Sequence, residues 1–150
     1  MPNPTAIVGL GNIALKDEGA GIHALRFLKE HYPDISADLI EAGTPGFSLF
    51  DLMKQYQKVI FLDAVNMGKP PGTIGKFSAN EAVAFKKSFS LHEMGLAEVI
   101  KLGQSLGKNF THVTIFGMQP QVIAYGEELS ASVRASIPDL TSDVVNCLGC

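Results

Sequence analysis

Gly9-Leu10-Gly11-Asn12-Ile13-Ala14-Leu15-Lys16-Asp17-Glu18-Gly19-Ala20-Gly21 follows the apolar run Ala6-Ile7-Val8 and leads into a stretch carrying Ile22, Leu25, Phe27 and Leu28 at helical spacing. The run reads as a buried strand and the spacing as the core-facing stripe of a helix. A glycine turn therefore leaves a strand and delivers two acids, Asp17 and Glu18, to the start of a helix. In open α/β sheets ligands bind at the carboxyl ends of the strands, so this loop is built to hold something.

Outward from that loop, strand-like and helical stretches alternate to the end of the chain. A second strand is expected over Ala37 to Glu41, a turn at Gly43-Thr44-Pro45-Gly46 and a short helix over Phe47 to Gln55. Lys58 to Ala64 holds the unbroken run Val59-Ile60-Phe61-Leu62, the pattern of a strand buried on both faces. Met67-Gly68-Lys69-Pro70-Pro71-Gly72 forces a loop, and Thr73 to Phe77 makes a short strand, read as antiparallel at an edge. Glu81 to Phe85 reads as a helical turn and Glu93 to Leu106 as a helix with Ser90 or His92 near its start. Thr111 to Met118 reads as a strand, and the stretch from about Ser130 to Leu148 as a helix interrupted or started at Pro138. The alternation implies an α/β fold, a three-layer α/β/α sandwich around a mostly parallel, twisted sheet of about five strands.

The 150 residues, 46% of them hydrophobic, suffice for one domain with one core, expected over 1–150. A net charge of −3, with 12 scattered Lys and Arg, offers no basic face for nucleic acid or anionic lipid. No apolar run approaches the roughly eighteen residues of a membrane span. Met1-Pro2-Asn3-Pro4 lacks the regions of a signal peptide, so a cytoplasmic protein is expected. Cys147 and Cys150 form a Cys-x-x-Cys at the trailing end of a helix, where the dipole disfavours a thiolate; they read as a mobile reduced tail.

Gly9-Leu10-Gly11-Asn12-Ile13-Ala14 satisfies the Gly-x-Gly-x-x-Gly/Ala fingerprint of dinucleotide-binding folds, and Glu41 ends the second strand where a ribose-binding acid is expected. A Rossmann-like nucleotide-binding oxidoreductase or binding module is the alternative this raises. Against it, Asp17 and Glu18 sit where a pyrophosphate should meet a helix N-terminus, and would repel it. A cation suits those acids better. With a doubly wound strand order the first and third strands are neighbours, which brings Asp63, at the end of Val59-Ile60-Phe61-Leu62-Asp63, beside the same loop. His92 in Ser90-Leu91-His92-Glu93-Met94-Gly95-Leu96 is the third candidate. Such a mixed oxygen and nitrogen set suits zinc, nickel or manganese with positions open for water or substrate.

Each group also has a plainer reading. Asp17 and Glu18 would favour the dipole of an exposed first turn, Asp63 would cap a loop, and His92 would be a polar residue at a helix start. His23 and His31 read as surface or packing residues and His112 as structural. Gly103-Gln104-Ser105-Leu106-Gly107 falls at the end of the expected 93–106 helix and not at a strand-to-helix turn, so it is no nucleophile elbow, and no His-Glu-x-x-His is present.

Taken together, Gly9-Leu10-Gly11-Asn12 through Asp17-Glu18-Gly19-Ala20-Gly21, Gly43-Thr44, Phe61-Leu62-Asp63-Ala64, Pro71-Gly72-Thr73, His92-Glu93-Met94-Gly95-Leu96 and Phe116-Gly117-Met118-Gln119-Pro120 resemble the hydrogenase maturation endopeptidases along nearly all of the chain. The resemblance implies a monomeric, cytoplasmic protease that trims the C-terminus of a nickel-iron hydrogenase large-subunit precursor after nickel loading. Nickel would then be carried by the substrate, with none firmly bound in the free enzyme. It further implies that Glu18, Asp63 and His92 engage that nickel, with Asp63 and Glu18 as the catalytic acids of an enzyme once grouped with aspartic-type proteases. Many members carry Asp-Gly-Gly-Thr after the second strand, in a loop linked to the choice of hydrogenase. Here it reads Glu41-Ala42-Gly43-Thr44.

Overall fold

The structure, a computed structural model, describes residues 3–85 and 95–148. Strand β1 (Thr5–Leu10) is followed by a 3-10 turn (Lys16–Gly19), α1 (Ala20–His31), β2 (Asp38–Gly43), a second 3-10 turn (Gly46–Ser48), α2 (Leu49–Gln55) and β3 (Lys58–Ala64). Then come β4 (Ile74–Ser78), α3 (Ala79–Val83), α4 (Leu96–Ser105), β5 (Val113–Met118) and α5 (Ala131–Cys147). The sheet runs β2-β1-β3-β5-β4. Its first three pairings are parallel, and β4 joins β5 antiparallel at the edge, as the short strand after the Pro-Pro-Gly loop suggested.

Because side chains alternate across a strand, the apolar runs supply both faces of the sheet. Ala6, Val8, Val59, Phe61, Val113 and Ile115 face one core with Met53 of α2 and Val99 and Ile100 of α4. Ile7, Ile60, Leu62, Phe116 and Met118 face the other, with Leu25 and Leu28 of α1 and Val133, Leu140 and Val144 of α5. These two cores make the three layers. Phe61, Ile60 and Leu62 are fully buried, which is why that stretch carries no polar alternation.

Several boundaries differ from the expected ones. β2 runs two residues further, to Gly43, because the parallel ladder continues past a register shift between Gly9 and Leu10 that pairs Leu10 with Gly43. α3 starts at Ala79, two residues early, on a capping box in which Ser78 and Glu81 bond each other's backbone N–H. α5 passes through Pro138 unbroken, with Ser130 at its N-cap. Its Val133, Ile137, Leu140 and Val144 stripe is buried on both sides of the proline, and that packing outweighs the one lost ladder bond. Cys147 is no tail residue: it is 4% exposed in the last turn of α5, a free thiol in the core. Cys150, His92 and the expected start of the 93–106 helix lie outside the described residues.

Candidate active site

β1 and β3 are neighbours, so the loops leaving their carboxyl ends open at the same edge of the sheet. Gly11 turns the chain with φ +117°, and its N–H donates to the Gly43 carbonyl at 2.8 Å. Asn12 closes the bend by accepting the Ala14 N–H on its side chain at 2.9 Å. The chain then folds back on itself: a β-carbon on Gly11 would fall inside the Glu18 carbonyl. Gly11 lets Glu18's own backbone lie against the turn, while Gly9 makes room for Gly21 and Leu25 of α1. The glycine of the fingerprint thus serves a close approach within the protein itself, and the acids Asp17 and Glu18 that follow would repel a pyrophosphate.

Asp17 and Glu18 are not in the exposed first turn of the helix. They occupy the 3-10 turn before it, at 0% and 5% exposure, and the first turn of α1 holds no acid. α1 begins hard against the strand ends, since a β-carbon on Gly21 would overlap the Leu62 and Leu10 carbonyl oxygens. That close approach sets the 3-10 turn beside β3, whose sixth residue is Asp63.

Asp63 is 1% exposed and accepts the Ala64 N–H on Oδ1 at 2.9 Å. Burial pushes its carboxyl up to about 8, the Ala64 hydrogen bond opposes the shift, and the charge of Glu18 adds to it. A carboxyl at the end of β3 and one in the 3-10 turn, both buried, therefore feel each other. A loop-capping aspartate would be exposed and would show no such shift.

The two acids of the first loop have parted roles. Asp17 points away from the Asp63 side into the 119–130 segment, where it accepts from the Gln121 N–H (2.9 Å), the Val122 N–H (2.9 Å), the Ser130 N–H (2.8 Å) and the Ser130 hydroxyl (2.7 Å). Burial, the largest influence on Asp17, pushes its pKa up, but these bonds together outweigh it and hold the carboxyl below its ordinary value. Gln119 does a similar job on the other side. Its Oε1 accepts from the Met67 N–H (2.6 Å) and the Lys69 N–H (3.3 Å), holding the loop that follows Asp63. Sequence reasoning did not assign either role, because the partners lie 104, 113 and 52 residues away.

The remaining candidates are placed as follows. His112 Nε2 is bonded to the Met53 carbonyl at 2.9 Å, a structural contact, and His31 is an exposed residue packed on Phe27. His23 lines a cavity of about 560 Å³ with Leu129, Ile137 and Pro138, between α1 and α5. Among the described residues no group of three or more His, Cys, Asp or Glu is arranged to hold a metal ion. Glu18 and Asp63 supply two oxygen donors; His92, the expected third ligand, lies outside the described residues. Beside the first loop a cleft of about 450 Å³ is lined by Gly11, Asn12, Ile22 and Ala42 and rimmed by the two-bond ion pair of Arg26 with Glu41.

The architecture and site define an α/β protein with a buried carboxylate pair at the carboxyl edge of a doubly wound sheet. The family model for hydrogenase maturation protease (HycI) matches residues 22–147. Over 136 residues the chain is 32% identical to the hydrogenase expression/formation protein HupD of Thiocapsa roseopersicina, covering 89% of this chain and 60% of HupD. It is 30% identical over 146 residues to the hydrogenase 2 maturation protease of Escherichia coli K12, covering 95% and 88% of the two chains. The hydrogenase maturating endopeptidase HybD from E. coli has the same fold, with a TM-score of 0.83 at 28% identity over 99% of this chain and 92% of HybD. The chain belongs to the hydrogenase maturation protease family.

Proposed function

We propose that this chain is an endopeptidase that removes the C-terminal peptide from the nickel-loaded precursor of a nickel-iron hydrogenase large subunit. The observation that carries this reading is the meeting of Glu18 and Asp63, buried and electrostatically coupled, at one end of the sheet in a member of this family. Glu18, Asp63 and His92 engage the nickel that the substrate brings, and the enzyme keeps no metal of its own. A hard and borderline donor set of two carboxylates and one imidazole suits such an ion while leaving it bound to its first owner. The enzyme works as a monomer in the cytoplasm; among the described residues no helix is long and apolar enough to cross a membrane.

Hydrolysis follows one of two routes from this arrangement. Either the substrate's nickel polarises the scissile carbonyl or activates a water, or nickel is a recognition tag and Asp63 or Glu18 takes the proton from the water. Incubation with nickel-loaded and nickel-free precursor, read by intact mass, tests the function: only the loaded form should lose its C-terminal peptide. Cleavage of both forms, or of neither, would overturn the reading. Asp63→Asn then separates the routes, since retained nickel-dependent binding with lost cleavage identifies the base.

A further inference from the structure

The 119–130 segment touches both loops that carry the acid pair, and it does so through buried side chains. At its start Gln119 is 8% exposed, holds the Met67 and Lys69 amides through Oε1, and reaches Asn66 with Nε2 at 3.3 Å. At its middle and end the Asp17 carboxylate gathers Gln121, Val122 and Ser130. The backbone adds to this contact: Asp17 N–H donates to the Val122 carbonyl at 3.1 Å, Lys16 N–H to the Gly126 carbonyl at 2.8 Å, and Gly126 N–H to the Ala14 carbonyl at 2.9 Å. Lys16 sits at φ +50°, an unfavourable conformation for a side-chain-bearing residue, held in place by that bridge. Glu18 is the next residue after the anchor. Its short 3-10 turn has no side-chain cap of its own to fix it.

We infer that Asp17 is a positioning residue: it ties the Glu18 turn to the 119–130 segment, while Gln119 ties the same segment to the Asp63 loop, so that one strap sets the spacing of the two acids. Asp17 meets neither substrate nor nickel. The inference rests on the proposed roles of Glu18 and Asp63, and it assigns the neighbouring acid a separate role that its chemistry alone would not suggest. A carboxylate suits that role because both of its oxygens accept, here three hydrogen bonds on Oδ2 and one on Oδ1, whereas an amide accepts at one oxygen only.

Asp17→Asn keeps the shape and turns one of the two acceptor oxygens, Oδ2 with three bonds or Oδ1 with one, into a donor that faces another donor, and its effect is read in two arms. In the free protein, hydrogen exchange should accelerate at the amides of 15–19 and 121–130 while the β1, β3 and β5 amides stay as protected as in the parent protein. Unchanged exchange in both segments, or acceleration spread over the whole sheet, would overturn the assignment. On nickel-loaded precursor, kcat should fall by about a hundredfold, the scale of an ångström's misplacement of a reacting group. A cycle with Glu18→Gln distinguishes positioning from general weakening: the double variant should be no slower than Glu18→Gln alone, and losses that multiply would refute the link. If Asp17→Asn does not fold, Ser130→Ala removes only the hydroxyl bond and should give a smaller loss that Glu18→Gln likewise absorbs. If the parent protein does not cut the loaded precursor, the proposed function fails, and the exchange arm still decides whether Asp17 holds the turn.

Discussion

Gly11 carries no side chain at the point where the Glu18 carbonyl packs against it, and its φ of +117° lies in the region that favours glycine. The turn and Glu18 are thus one steric unit. Gly11→Ala meets both obstacles, the left-handed backbone and the Glu18 oxygen. It should destabilise the fold by more than about 2 kcal/mol, as positive φ alone accounts for about 1–2. Urea unfolding measures this. Cleavage should drop further than stability explains, because the displaced atoms belong to Glu18.

Asp63 is a buried carboxyl whose ionisation the fold opposes. Its carboxyl is raised from an ordinary 3.8 to about 8, mainly by burial, so the folded protein holds a proton there that the unfolded chain releases. The sign follows from linkage: stability attributable to this group is intact below about pH 4, declines as pH rises between the two values, and is fully lost above about pH 8. Asp63→Asn removes that dependence. The variant should be more stable than the parent by a few kcal/mol, roughly, near pH 8 and no more stable near pH 4, while being inactive. Thermal melts across pH, with a cleavage assay, check both halves; a variant less stable than the parent at pH 8 would contradict the assignment.

Arg26 and Glu41 form an exposed pair with side chains 49% and 35% accessible, at the rim of the cleft beside Gly11. An ion pair in water contributes little to stability, so Arg26→Ala or Glu41→Ala should change unfolding free energy by less than about 1 kcal/mol. Their effect should fall on the substrate. KM for the loaded precursor should shift severalfold with kcat nearly constant, and raised salt should mimic part of that shift.

Cys147 sits in the core between α5 and the sheet, and Lys58 Nζ donates to its carbonyl at 2.6 Å. The thiol should resist alkylating reagents in the native protein and react on unfolding. Cys147→Ala should leave cleavage unchanged and lower stability by about 1 kcal/mol, the scale of one small buried group. Lost activity in a folded Cys147→Ala protein would return the Cys-x-x-Cys to consideration as a working pair.

Much of this protein was legible along the chain because the deciding signals are local. Val59 to Leu62 could only be a central strand, the Pro-Pro-Gly loop could only precede a short edge element, and a glycine turn between β1 and α1 marks the ligand edge of any such sheet. From these came the parallel sheet, the neighbourhood of β1 and β3, and the candidacy of Glu18 and Asp63. The likeness of the motif set to hydrogenase maturation endopeptidases was also readable there. Where local reasoning went astray, packing had overruled it: the buried stripe on α5 carries the helix through Pro138, and the same core takes in Cys147.

The residue types, their order and their spacing were determined by sequence alone; the division of labour between Asp17 and Glu18 was decided by tertiary structure. Side by side in the chain, the two acids are chemically near-equivalent; the resemblance picks out Glu18, but no local signal says what Asp17 is for. Only folding brings Gln121, Val122 and Ser130 to one carboxylate and Asp63 to the other. Burial then makes the difference decisive, since a carboxylate out of water is stabilised by the donors it meets and disturbed by a second acid.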